Sequence, residues 1–169
     1  MKEYVKKIKD IPENEIVYVD ETGIDNYLYR EYARAPRGKV VYEKISGRKF
    51  KRTGIVAAQV GKKLIAEMTY EGTMNSEFFE SWFRKALIPS VHKNAVIVMD
   101  NASFHRKKYL HKLAEEHDIR IIFLPPYSPE YNPIENTWHV FKKRVCELLR
   151  VCSSFDEAVK IVFETFKVY

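Results

Sequence analysis

Three acids are placed where a folded chain could bring them together: Asp20 at the end of "EIVYVD", Asp100 at the end of "NAVIVMD", and Glu135 just after "EYNPI". The first two close short apolar runs that read as buried strands, and the strand ends of an open α/β sheet are where ligands usually sit. Either aspartate alone also fits a turn or a helix cap. Glu135 lies one residue past Ile134, which begins an apolar stripe of helical period, so it flanks the buried side and can face the sheet edge. His139 falls one turn further along the same side. Three carboxylates meeting at one edge repel one another unless they are protonated or bridged by cations. Mg²⁺ or Mn²⁺ suits such oxygens and keeps water and phosphate as its other ligands. Two such ions about 4 Å apart would activate a water and steady the leaving oxygen in an in-line attack on a phosphodiester.

The charge of the chain points to the same substrate. Its 29 basic and 23 acidic residues give a net charge of +6. Residues 30–52 alone hold nine Lys or Arg against Glu31 and Glu43, a local excess of +7. A polyanion such as nucleic acid fits that patch, with Arg34, Arg37, Lys39, Arg48, Lys49, Lys51 and Arg52 as its DNA-binding candidates; a solvated loop kept soluble by charge is the competing use. No apolar run approaches the ~20 residues of a membrane span, and the polar start "MKEYVKKIKDIPENE" is no signal peptide. These features predict a cytoplasmic, nucleoid-associated protein without a membrane partner. Cys146 and Cys152 lie six positions apart, too far along a continuous helix for a disulfide.

The elements that must position the acids follow from periodicity. "EIVYVDETG" predicts a strand ending at Asp20 and broken by Gly23, and "TGIVAAQV" and "KLIAEMTY" predict a hairpin around Gly61-Lys62. "NSEFFESWFRKALIP" predicts a helix capped by Asn75 or Ser76, stopped by Pro89, with Phe78, Phe79, Trp82 and Phe83 in the core. A helix around 106–117, a strand over 119–125 and two final helices complete the order β-β-β-α-β-α-β-α-α. The penultimate helix carries the stripe Ile134, Trp138, Phe141, Val145 and Leu148; the last starts at a box formed by Ser154 and Glu157. That order predicts one α/β domain over residues 1–169, a mixed five-stranded sheet with helices on both faces. Around Glu135, Asn132 is the expected cap, Pro133 the first helical residue and Glu135 the third position of a capping box.

"VDETG", "MDNASFH" and "LPPYSPEYNPIENTWHVFK" resemble the three motif blocks of DDE transposases, in the bacterial insertion-sequence branch of the mariner superfamily. Asp100 and Glu135 have 34 residues between them, the separation that branch shows. The resemblance covers about residues 15–148 and implies a ribonuclease H-like fold, with Asp20, Asp100 and Glu135 as catalytic, metal-binding triad. It implies two Mg²⁺ or Mn²⁺ ions when DNA is bound, and cutting and strand transfer at transposon ends. Asn101, His105 and His139 are candidates for a second shell or for DNA backbone contact, and Tyr127 and Tyr131 for base stacking. The run of Pro125, Pro126, Pro129 and Pro133 is expected to act as a strap that fixes Glu135. The resemblance also brings a homodimer and a separate end-recognition domain or chain as partners, because only about fifteen residues precede the first strand and no helix-turn-helix region fits there. An excised catalytic domain, the second frame of a split gene and a remnant of a decayed element all fit such a chain. The competing functions are a non-catalytic DNA-binding or dimerisation remnant and another ribonuclease H-like nuclease.

If the basic segment grips DNA, each lost phosphate contact flattens the slope of log K against log salt by about 0.9 on duplex DNA. Charge reversal at Arg48, Lys49 and Lys51 is expected to reduce that slope measurably. An unchanged slope in a salt titration would assign the segment to another use.

Overall fold

The structure, a computed structural model, describes residues 2–25, 52–125 and 128–166. The basic candidates Arg34, Arg37, Lys39, Arg48, Lys49 and Lys51 lie outside the described residues, as do Pro126 and Tyr127. Five strands form one sheet: β1 (Ile16–Asp25), β2 (Arg52–Val60), β3 (Lys63–Glu71), β4 (Val96–Met99) and β5 (Arg120–Phe123). Their order is β3-β2-β1-β4-β5, with β1 antiparallel to β2, β2 antiparallel to β3, and β1, β4 and β5 mutually parallel. This is the mixed ribonuclease H-like sheet that the sequence implies. The hairpin turns where expected, at Gly61 with φ +51°, a backbone conformation that suits glycine.

Strand alternation divides the core between two faces. Val17, Val19, Val56, Ala58, Ile97 and Met99 pack on one side. Phe79 and Trp82 of α2 (Ser76–Trp82) cover them, together with Leu110 and Leu113 of α4 (Lys107–Glu115). On the other side Ile24, Ile55 and Ala57 meet Ile134, Trp138, Phe141 and Val145 of α5 (Ile134–Leu148), backed by Ala158, Val159 and Val162 of α6 (Phe155–Thr165). A short N-terminal helix, α1 (Lys2–Ile8), inserts Tyr4 against Ile16, Val98 and Leu124; its charged sequence gave no apolar period to announce it.

Several expectations are corrected. β1 neither ends at Asp20 nor breaks at Gly23, because β2 keeps pairing with it as far as Asp25 opposite Arg52. Pro89 does not stop the aromatic helix. A π turn over Phe83–Leu87 absorbs the missing amide, and α3 (Ile88–Ser90) carries the proline near its start. Phe78 is exposed, leaning on Tyr70 at a ring separation of 5.5 Å. Cys152 lies beyond the end of α5, so the two cysteines do not share a helix, and both are free.

Helix α5 is fixed to the sheet by one buried polar pair as well as by its stripe. Thr137 Oγ1 donates to Gln59 Oε1 at 2.6 Å, while Gln59 Nε2 donates to the carbonyl of Gly61 at 3.0 Å. Thr137→Val strands the Gln59 oxygen in the core and is expected to cost about 1–3 kcal/mol in denaturant unfolding. Adding Gln59→Leu removes the stranded acceptor and should recover much of that loss.

Candidate active site

The parallel pairing of β1 with β4 ends at Val19 opposite Met99, so Asp20 and Asp100 are the next residues on the two strands. There β4 stops while β1 runs on with β2, and the two strands part. The split places two carboxylates in neighbouring register at the C-terminal edge of the parallel half, where such sheets gather ligands. Asp20 alternates with Val19 and so faces α5. Trp138 Nε1 donates to Asp20 Oδ2 at 3.1 Å. The Asp20 carboxyl is pushed up to about 7, first by burial and then by Glu21, with Glu135 and Asp100 adding to it and a backbone bond from Glu21 opposing. Glu135 and Asp100 therefore both act on the same carboxyl.

Asp100 is more open, with 49% of its side chain exposed. Its Oδ1 accepts from the amide of Ala102 at 3.1 Å and lies 3.4 Å from His105 Nδ1; among the described residues its Oδ2 has no protein partner. Glu135 is exposed in the first turn of α5. The expected capping box is absent. Among the described residues no side chain caps this helix; the Glu135 amide bonds to the Asn132 carbonyl, and the buried Asn132 Oδ1 has no partner among them. Glu135 is thus not used up as a cap. As a donor set, three carboxylates match a hard divalent cation, and the crowding around Asp20 is what such a charge relieves. Among the described residues, no three acidic, His or Cys side chains already stand at ligand spacing.

The remaining candidates separate. His105 is buried beside Asp100, whereas Asn101 and His139 are exposed, His139 one turn beyond Glu135. Tyr131 is tied to α1, taking the Tyr4 hydroxyl on its carbonyl at 3.3 Å with the rings edge-on. Arg52 closes the β1–β2 ladder, and its guanidinium lies so flat over Gly23 that a Cβ there would stand 2.1 Å from Nε. It lines a cleft of about 320 Å³ with Glu21, Gly54 and Tyr70. Sequence reading missed Trp138 and Glu21. Trp138 fitted the core stripe completely; its indole N–H, which a buried tryptophan normally satisfies, was the available signal.

The family profile of the DDE superfamily endonucleases matches residues 15–157, and the chain belongs to that family. An uncharacterized protein of Sinorhizobium fredii, y4pE/y4sA, is 41% identical over 66 residues, which cover 39% of this chain and 46% of that protein. A crystal structure of a pre-cleavage Mos1 transpososome superposes with a TM-score of 0.67 at 16% identity, over 98% of this chain and 52% of the Mos1 chain. A Mos1 mariner paired end complex with Mn gives 0.61 at 15%, over 96% and 57%. The catalytic core domain of BIV integrase gives 0.53 at 13%, over 89% and 81%. The fold is that of transposase and integrase catalytic cores, and the chain spans about half the length of y4pE/y4sA and of the Mos1 chains.

The raised Asp20 carboxyl has a definite consequence for stability. A folded pKa above the unfolded value means that its contribution is full below about pH 4 and is lost as pH rises through about 7. In metal-free buffer Asp20→Asn, which can still accept from Trp138, is expected to melt several degrees above the wild type at pH 8. The gap should shrink toward zero at pH 4. Parallel melting curves across that range would show that Asp20 is not held in this way.

Proposed function

We propose that this chain is the catalytic domain of a cut-and-paste transposase, a metal-dependent endonuclease and strand-transfer unit acting on DNA at transposon ends. The observation that carries the reading is the register that sets Asp20 and Asp100 at neighbouring ends of β1 and β4, inside the segment that matches the DDE endonuclease family. Asp20, Asp100 and Glu135 would hold the ions. When bound, Mg²⁺ or Mn²⁺ would supply charge to activate the attacking water or hydroxyl and to stabilise the leaving oxygen.

The residues around the triad have separable tasks. Trp138 fixes one oxygen of Asp20, and the Ala102 amide fixes one oxygen of Asp100, so each aspartate enters the reaction with its orientation largely set. Asp20, with its raised carboxyl, would have to be deprotonated to hold an ion, so loading would improve with rising pH. Glu135, exposed in the first turn of α5, would complete the set. Arg52, with the basic residues of 30–51, would meet the phosphates; such contacts position DNA without reading its sequence. Mos1 supports this assignment by analogy, since the structures it resembles include a transpososome and a paired end complex with Mn. Choice of the transposon ends, and pairing of two copies across them, belong in this reading to the complete assembly.

A ligand that binds only the native state stabilises it by RT ln(1 + [L]/Kd), about 2.7 kcal/mol at a hundredfold excess over Kd. Mn²⁺ should therefore raise the melting temperature of the wild type and leave Asp100→Asn nearly unmoved. Supercoiled plasmid should be nicked by the wild type with Mn²⁺ and not by Asp100→Asn. Equal thermal shifts in both proteins would remove Asp100 from the metal site.

A further inference from the structure

Glu21 follows Asp20 on β1, but strand alternation turns its side chain to the opposite face, toward His105. The activity proposed above assigns it nothing. His105 has 1% of its side chain exposed and Glu21 has 16%, and His105 Nε2 stands 3.8 Å from Glu21 Oε1. Both atoms are buried, and among the described residues neither has a hydrogen-bond partner. On the other side of the ring, Nδ1 faces the Asp100 carbonyl at 3.3 Å and Asp100 Oδ1 at 3.4 Å. Both are acceptors, so Nδ1 carries a hydrogen. Phe79 and Phe104 pack against the imidazole with centroids at 4.4 Å each, which leaves the ring little freedom to turn away.

Two buried orphan atoms aimed at each other are an unfinished bond. The gap is too short for a water and closes to about 2.8 Å by a side-chain movement of about 1 Å. We infer that Glu21 is a positioning residue, closing a brace Glu21–His105–Asp100 that fixes the carboxylate of Asp100. One hydrogen stands between Nε2 and Oε1. Nδ1–H then bonds to the Asp100 carbonyl with Oδ1 at 3.4 Å, and the Ala102 amide holds Oδ1. The brace ties the strand of the first aspartate, through Glu21, to the loop of the second, through His105. Its consequence for metal binding rests on the reading of Asp100 as an ion ligand; the brace itself does not.

The test uses the whole chain with Glu21→Met, nearly isosteric but without polar atoms, and Glu21→Gln, whose amide N–H can donate to Nε2. Nitrogen NMR of labelled histidine is read in metal-free protein, and Mn²⁺ affinity is read by calorimetry. Glu21→Met is expected to move the His105 Nε2 resonance and to weaken Mn²⁺ about 10–100-fold, the usual effect of losing an outer partner. Glu21→Gln should keep the hydrogen on Nδ1 and restore affinity to within a few-fold of wild type. An Nε2 resonance indifferent to both substitutions overturns the brace, and an unchanged Mn²⁺ Kd in Glu21→Met overturns its positioning role. If Glu21→Met does not fold, Glu21→Gln decides alone, since exchanging carboxylate for amide must move a bonded Nε2. A resonance that moves in a protein that binds no Mn²⁺ would leave the brace standing and remove the metal reading instead.

Discussion

A carboxyl group held largely out of water beside three other acids sets the terms for the rest of this molecule. Burial and like charge both disfavour the ionised form of Asp20, and its carboxyl is pushed up to about 7 as a result. A group so placed is tolerated only where the surrounding structure over-determines it. The indole of Trp138 and a backbone bond from Glu21 hold it from two directions. Trp138 in turn is placed by the stripe that packs α5 on β1 and β2, and Thr137, its neighbour, is locked to Gln59. The most buried parts of the fold thus converge on one unfavourable charge.

The sheet explains why Asp20 and Asp100 stand at neighbouring strand ends. Each face of a strand serves a different layer, so side chains from the two helical layers are ordinarily kept apart by the sheet itself. Where β4 ends and β1 continues, that separation lapses. Asp20 arrives with α5 on one face, while Asp100 is held by His105, whose ring packs on Phe79 of α2 on the other. The site is therefore a joint between layers, and small shifts of either layer would register there.

Much of this was legible from the sequence, for reasons that particular residues make plain. Asp100 follows "VIVM", a run apolar at every position, which only a strand covered on both faces tolerates. The phase of Glu135 relative to Ile134 sets it at the flank of the buried stripe, because a helical period fixes angle as well as burial. Asp20 does not end its strand: an apolar run tells how far a strand is buried, not which neighbour continues to pair with it. Pro89 misled because a π turn moves the hydrogen-bond phase by one residue, which no composition announces. Trp138 hid because one side chain does two jobs. Glu21 hid because adjacency in a strand means opposite faces, so its nearness to Asp20 in sequence said nothing of its partner.

The contrast between the aspartates and Glu135 carries the argument one step further. Asp20 and Asp100 each have an oxygen pinned by a donor of the protein. Glu135 is exposed, without a cap to hold it, on a helix that is itself firmly packed. A third carboxylate buried at the same edge would raise the repulsion on Asp20 further and lower the stability of the ion-free protein. Leaving it in solvent keeps most of that repulsion screened until a cation is there to offset it. The helix is packed while the carboxylate stands in solvent, so in the proposed reading the site would be completed by arrival of positive charge rather than by folding.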